Sequence, residues 1–435
     1  MKWIRCLAGS LVIALAIATP TTALASKATT IRVSQSRSGG NPNGNSSWPS
    51  ISSNGRFVAF SSYASNLVAH DTNATSDVFV RDVLNGTTTR VSVASSGAQA
   101  DGASFTPSIS ADGNAVAFQS FATNLVPGDT EGHADIFVHY RSTGKTIRVS
   151  VARGGGGAND DSLQPAISAD ASTVAFSSVA TNLVAQPVNA TGLCCDIFVR
   201  NLVTRVTTLA DRMLDGTGSA DSFSPTLSAT GRFVAFGSWG CSLVKGIPCL
   251  DESNVFVWDV SARKMTLVTR ATTGGVADGC GANPAISADG TLVAFTSDGG
   301  NLIPNDTNSA NDVFLRNLTT GQTRRVSVTS KGAQTNGALG RVTMSSDGRL
   351  IAFQSDAWNI VPNDSNLVSD IFAHDMQTGK TTRVSVSSSG AQADAFSANA
   401  AISGDGTSIV FESDADNLVP ADTNFTTDIF LHALV

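Results

Sequence analysis

Five times along this chain, oxygen-bearing side chains recur at a spacing of two and then four residues. The sets are Asp71, Asn73, Asp77; Asp129, Glu131, Asp135; Asp306, Asn308, Asp312; Asp364, Asn366, Asp370; and Asp422, Asn424, Asp428. Alternating carboxylates and amides on a tight loop, closed by a carboxylate where a strand opens, can converge on a hard cation such as calcium. The same residue types also form turns through their own backbone hydrogen bonds. Both readings stand at the level of sequence. Two corresponding loops break the pattern, one with Gln186, Pro187 and Asn189, the other with Asp251 and Glu252 before Asn254.

A second polar set sits ahead of a short Ser-rich strand: Asn43, Asp101, Asn159, Asp221, Asp278, Asn336 and Asp394. If that strand lines a channel, these groups ring its mouth and offer a site for a cation, a sugar or a basic peptide. Trp48, Trp239 and Trp358 could stack on a sugar or fill gaps between elements. No Gly-x-Ser-x-Gly elbow with a matching histidine is present, which argues against a serine hydrolase. No unit carries its own acid, base and nucleophile.

The elements that hold these residues come from a repeat. Pro49-Ser50-Ile51-Ser52 returns at Pro107, Pro165, Pro225 and Pro284, and more loosely at Arg341 and Asn399, with spacings of 57 to 60 residues. A period of this length marks an array, a solenoid or a propeller. Each unit contains four strand signals. Strand A is the Ser-Ile-Ser segment, followed by a tight turn such as Asn54-Gly55 or Asp112-Gly113. Strand B is apolar throughout, as in Phe57-Val58-Ala59-Phe60, so both of its faces are buried. A longer loop carries the acidic motif. Strand C begins at its last carboxylate (Asp77-Val78-Phe79-Val80), and strand D reads Arg90-Val91-Ser92-Val93.

Seven units of four antiparallel strands predict an all-β, seven-bladed propeller. The segment Ile31-Arg32-Val33-Ser34 is a strand D without its own A, B and C, and Asp428-Ile429-Phe430-Leu431 is a strand C without a following D. The N-terminal strand is therefore expected to complete the last blade and close the ring, which removes exposed sheet edges.

Lys2 and Arg5, the apolar stretch from Leu11 to Ala18, and Ala23-Leu24-Ala25 read as an export signal over residues 1–25. Residues 26–435 are then one propeller domain, periplasmic or extracellular, monomeric, with no membrane insertion after cleavage. The net charge of −7 argues against nucleic acid as a partner. Cys194, Cys195, Cys241, Cys249 and Cys280 follow the signal, so one at least is unpaired in a monomer. Cys241 with Cys249 is the favoured disulfide, across a short loop.

The run Pro-x-Ile-Ser-x-Asp-Gly-x-x-Val-Ala-Phe-x-Ser, followed by Asp-Ile-Phe-Val-x-Asp, resembles the repeat of TolB-type, WD-repeat-like propellers. Residues 281–297 and 312–316 carry it best. The resemblance spans nearly all of the chain after residue 25 and implies the fold more than a function. The α/β domain of TolB has no counterpart here. Propellers of prolyl oligopeptidases and oligogalacturonate lyases are similar too. The lyases hold a metal through histidines, and His70, His133, His139, His374 and His432 form no matching motif. With polar groups spread evenly round the ring, the expectation is a non-catalytic binding or scaffold module for a protein or peptide, with calcium stiffening its loops. The competing reading is a secreted polysaccharide-active enzyme working in the central channel.

Overall fold

The computed structural model describes residues 28–434, apart from 131, 186–194, 215–220, 241–242, 248–251 and 338. Among the described residues, 28 strands form seven four-stranded sheets, each antiparallel throughout. The expected export signal and the Cys241–Cys249 pair lie outside the described residues.

Strand B holds the middle of each blade because it has no polar face to expose. Val58, Ala59 and Phe60 are fully buried, as are their equivalents in every blade. Phe60 of strand B meets Phe79 of strand C with ring centroids 6.0 Å apart. The same pair recurs in all seven blades, from 5.8 Å at Phe176–Phe198 to 6.2 Å at Phe236–Phe256. Such pairs contribute about 1 kcal/mol each beyond the area they bury. Apolar clusters run between the blades. Phe118 and Phe137 of blade two pack with Val78 and Val80 of blade one.

Strand A of each blade packs against strand A of its neighbours, so the seven A strands surround the axis. Two belts of main-chain hydrogen bonds tie them together. At the A–B turns, Ser53 N donates to Ala111 O, Ala111 N to Ala169 O, Asp170 N to Ala229 O and Ala229 N to Ala288 O. Ala288 N then donates to Ser346 O, Ser346 N to Gly404 O and Asp405 N to Ser53 O, which completes the circle. A Cβ on Gly404 would crowd Ser53 Oγ and Ser346 Oγ, so those hydroxyls would have to shift to admit one. At the other end the first residue of strand A donates to the preceding blade, as in Ser104 N to Ser76 O and Ser162 N to Ala134 O.

The ring closes as the sequence implies. Thr29–Arg32 forms the outer strand of blade seven, with Ile31 opposite Leu431 and Arg32 opposite Phe430. In blades six and seven the strand A register differs by one residue from the sequence reading. Val342 and Ala400, rather than Arg341 and Asn399, take the place of the repeated proline. Thr343 faces Ala352 as Ala285 faces Ala294 in blade five. One residue of register exchanges the two faces of a strand, and here it moves Arg341 and Asn399 onto the channel.

Arg32 is the charged lock of this closure. Its guanidinium lies 2.8 Å from Asp422 Oδ1 and 3.3 Å from Asp428 Oδ2, with all three side chains buried. Removing one partner of a buried pair leaves the others uncompensated. Arg32→Ala should therefore lower unfolding stability by about 3 kcal/mol. Arg56→Ala, which removes a half-exposed guanidinium from Asp82 and from the ring of Phe57, should cost less. Urea melts of the two variants check the contrast.

Candidate functional site

The acidic B–C loops close on arginine. In blade one, Arg90 of strand D lies 3.2 Å from Asp71 and 3.1 Å from Asp77. Ser92 Oγ donates to Asp77 at 2.5 Å, and Asn73 Nδ2 donates to it at 3.2 Å. Arg148 holds Asp129 and Asp135 in the same way, Arg325 holds Asp306 and Asp312, and Arg383 holds Asp364 and Asp370. Asn308, Asn366 and Asn424 donate to Asp312, Asp370 and Asp428 as Asn73 does to Asp77. Glu131 lies outside the described residues. Each knot thus carries its own cation: in blades one, two, five and six a guanidinium thirteen residues after the strand C carboxylate, and in blade seven Arg32 of the closing strand. Burial nevertheless pushes Asp77, Asp312 and Asp370 above the ordinary carboxylate range, against the pull of their serine and arginine partners. Asp428 is pushed up to about 6 by the same cause.

Blades three and four lack the arginine, with Leu209 and Leu267 in its register position opposite Phe198 and Phe256. Blade four neutralises the acid as well. Asn254 replaces the aspartate and accepts from Thr269 Oγ1 at 2.7 Å. Blade three keeps Asp196 and puts Asp211, fully buried, where the other blades have a hydroxyl. Burial, then the neighbouring charge of Asp196, push the Asp211 carboxyl well above its usual range. Asp211 thus stands at the position of Ser92 in blade one, with its charged form disfavoured by burial and by Asp196.

The polar set at the channel mouth is occupied by loop geometry. Asp101 accepts from Thr123 N and Oγ1 at 2.7 and 2.8 Å. Asn43 Nδ2 donates to Ser65 Oγ, Asn159 Nδ2 to Thr181 Oγ1, and Asn301 N donates to Asp278. Asp394 accepts from Asp416 N, and Asn336 N donates to Asn359 Oδ1. The main chain of Asp221 bonds Trp239 and Ser238. These residues fasten the loop before strand A to the B–C loop of the same blade.

Deeper in the channel the ring changes character. Strand A carries a bulge at one repeating position, where Trp48, Thr106, Gln164, Ser224, Asn283 and Asn399 adopt φ between 47° and 55°. Left-handed backbone at six equivalent non-glycine sites is a maintained strain. It turns these side chains, and some of their N–H groups, toward the axis. Arg341 occupies the corresponding place in blade six. Glu412 of strand B reaches across from blade seven. Its Oε2 accepts from Trp48 N at 2.9 Å, and its Oε1 accepts from Asn399 Nδ2 at 2.7 Å. The Arg341 guanidinium lies 5.6 Å from the ring of Trp48, which is 39 % exposed. Among the described residues, Arg341 makes no hydrogen bond and no ion pair. Burial raises the Glu412 pKa, and burial lowers that of Arg341 although Glu412 opposes it. One cation, one acid and one indole therefore break the symmetry of an otherwise neutral polar ring. Sequence reading missed Arg341 and Glu412. The misplaced register hid the first, and strand B looked wholly apolar around the second.

Among the described residues, one cluster of potential metal ligands stands apart from the knots. His133 Nδ1 lies 3.8 Å from Asp160 Oδ1 and 3.7 Å from Asp161 Oδ1, and one donor atom from each lies within 4.8 Å of the others. Cys195 and Cys280 are free thiols. No helix among the described residues is long and apolar enough to cross a membrane.

No protein-family model and no curated protein sequence matches this chain. Solved structures do. An oligogalacturonate lyase in complex with manganese matches 94 % of this chain and 98 % of its own length, at 12 % identity and a TM-score of 0.56. An acylaminoacyl peptidase matches 89 % of this chain and 51 % of its own, at 10 % identity and a TM-score of 0.54. A TolB structure from Agrobacterium tumefaciens matches 68 % of this chain and 83 % of its own, at 15 % identity and a TM-score of 0.41. At these identities the likeness is one of fold. It still corrects the expectation of a non-catalytic module: propellers matching most of this chain belong to a lyase and a peptidase. The premise behind that expectation also fails, because the channel is not even.

The blade-three substitution generates a test with a definite sign. A carboxyl whose pKa is raised by folding stabilises the fold at low pH and destabilises it as pH rises through the folded value. Asp211→Ser restores the hydroxyl of the other blades and removes that dependence. The variant should be more stable than the parent at pH 8, by on the order of 2 kcal/mol, with the gap closing as pH falls toward about 4. Denaturant melts of both proteins across this range measure it.

Proposed function

We propose that this protein is a polymer-processing enzyme whose site is the central channel, acting on a hydroxyl-rich, anionic oligosaccharide. The observation that carries the reading is the group of Arg341, Glu412 and Trp48 on one side of a polar ring. A guanidinium free of protein partners is a ready acceptor of a carboxylate, bidentate where geometry permits. The exposed indole face of Trp48 offers a stacking surface for a sugar ring. Gln164, Ser224, Asn283 and Asn399 offer amide and hydroxyl groups for sugar hydroxyls. Glu412 takes the role of proton-transfer group. Its raised pKa brings it nearer the range in which a carboxyl both gives and takes a proton, and the Trp48 and Asn399 bonds fix its orientation. The full-length fold likeness to an oligogalacturonate lyase agrees with this choice of substrate class.

The reading includes export, supported by the signal-like residues 1–25, and a single propeller domain after it. Calcium is left out, because in each acidic loop it would have to displace a buried arginine from its carboxylates. Any resident metal would instead fall to His133, Asp160 and Asp161.

Turnover on polygalacturonate, read by the ultraviolet absorbance of an unsaturated product and by new reducing ends, separates lyase from hydrolase chemistry. Glu412→Gln should lower kcat at least roughly a hundredfold while oligogalacturonate binding survives. Arg341→Ala should weaken binding about tenfold or more. Unchanged rates in both variants, or no turnover and no binding by the parent on acidic polysaccharides, would sink the assignment.

A further inference from the structure

The outer strand of blade three leaves its edge without a serine seal. It shares this with blade one, where Arg37 holds the serine's place and its N–H donates to the next B–C loop, at Asn66 O. In blades two, six and seven the free edge of strand D is sealed by a serine of the blade before. Ser95 Oγ accepts from Thr146 N at 2.9 Å and donates to Thr146 O at 3.3 Å. Ser330 does the same at Thr381, and Ser388 at Thr30. In blade three, Thr207 stands opposite Arg200 as Thr146 stands opposite His139. Its main-chain N–H and C=O therefore face outward, since such groups alternate between partner and edge along an antiparallel strand. The residue in the serine's place is Arg153, whose N–H goes instead to Asn182 O at 2.9 Å. Among the described residues, the Thr207 edge has no partner.

Two further features set this edge apart. It opens with Val206, 55 % exposed. The equivalent residues elsewhere are Thr29, Thr87, Lys145, Lys264, Gln322 and Lys380. Lysine on an edge strand discourages strand addition; blades two, four and six carry it, and of the seven positions only that of blade three is apolar. Val206 and Thr207 also border grooves on both sides. One, of about 430 Å³, holds Arg153, Arg200 and Arg205. The other, of about 700 Å³, holds Arg212, Arg232 and Arg263. No carboxylate lines either groove among the described residues, although the chain has 35 acidic residues and a net charge of −7. Of the six arginines, Arg232 is committed, to Asp259 at 2.8 Å. Arg200 Nη1 donates to Thr207 Oγ1 at 2.8 Å, and burial, then the charge of Arg205, lower its pKa.

We infer that this edge is a docking site for an extended acidic peptide, which adds as a fifth strand to blade three. The main chain of Thr207 pairs with the peptide, Val206 packs against an apolar side chain, and the flanking arginines take its carboxylates. Strand addition draws affinity from main-chain bonds and selectivity from alternate side chains. An anionic polysaccharide satisfies the arginines but leaves the strand edge unpaired, so the observations favour a peptide. The site is on the outer rim, away from the channel, and stands or falls independently of the enzymatic reading.

Fluorescence anisotropy with a labelled peptide of alternating Glu and Val, capped at both ends, tests the inference on the full propeller. The parent should bind saturably. Thr207→Pro removes the outward N–H at an edge position, where proline is tolerated, and should weaken binding at least roughly tenfold. Arg205 has φ 59°, and Arg205→Asn suits that backbone while removing the charge. It should cost a similar factor and flatten the salt dependence. Circular dichroism and the unfolding midpoint confirm that both variants fold. Absence of saturable binding overturns the site. Equal affinity of parent and Thr207→Pro overturns strand addition, and displacement by charge-matched oligogalacturonate at equal concentration reduces the surface to a polyanion patch.

Discussion

Closure of the ring is the constraint from which the rest of the structure follows. Seven blades must each turn by the same amount, or the first and last do not meet. The belt of main-chain hydrogen bonds from Ser53 round to Asp405 enforces that equality at one end of the A strands. The bonds from the first residue of strand A to the preceding blade enforce it at the other. Strand A is thus held at both ends and gives in the middle. The left-handed bulge at Trp48 and its five equivalents is where it gives. A strain repeated at one position of every repeat but one is a property of the ring, and it aims a set of side chains at the axis.

The arginine knots solve a different problem, how to pin a strand to a loop without a helix or a disulfide. A carboxylate at the start of strand C, a hydroxyl and an arginine on strand D and an amide in the loop satisfy one another in burial. Buried ion pairs are poor sources of net stability but costly to leave half made. The four elements should therefore change together. Blade four has changed the acid to Asn254, the hydroxyl to Thr269 and the arginine to Leu267. Blade three changed the arginine to Leu209 and kept the acid, and it places a second buried carboxyl, Asp211, beside it, each disfavouring the charge of the other.

The fold was legible in the sequence because period, turn dipeptides and two-faced apolar strands all pointed to one architecture. Ring closure was legible because Ile31-Arg32-Val33-Ser34 and Asp428-Ile429-Phe430-Leu431 were visibly complementary halves. The acidic loops were read in isolation. Their true partner, an arginine on strand D, was quoted within Arg90-Val91-Ser92-Val93 but not connected, because strand pairing brings it back across a turn. The even distribution of polar groups was an error of register. Aligning Arg341 and Asn399 with the repeated proline put both off the channel, and once one position is shifted a strand shows its wrong face. Glu412 gave a signal that went unused: it stands where the other blades have Ser61, Gln119, Ser177, Gly237, Thr296 and Gln354.

That position explains why function can concentrate in the channel while the scaffold stays uniform. Residues that hold the blade together, such as the paired phenylalanines, are buried and recur in every repeat. Residues on the bulge face water, so a change there costs the ring little. Six neutral or aromatic side chains and one arginine occupy these seven places, and Glu412 leans in from the strand behind. Arg341 and Glu412 act on each other electrostatically without an ion pair between them. Glu412 is held by Trp48 N and Asn399 Nδ2, while the Arg341 guanidinium is open to the channel. A ligand carboxylate against Arg341, and a ligand proton within reach of Glu412, would engage both at once.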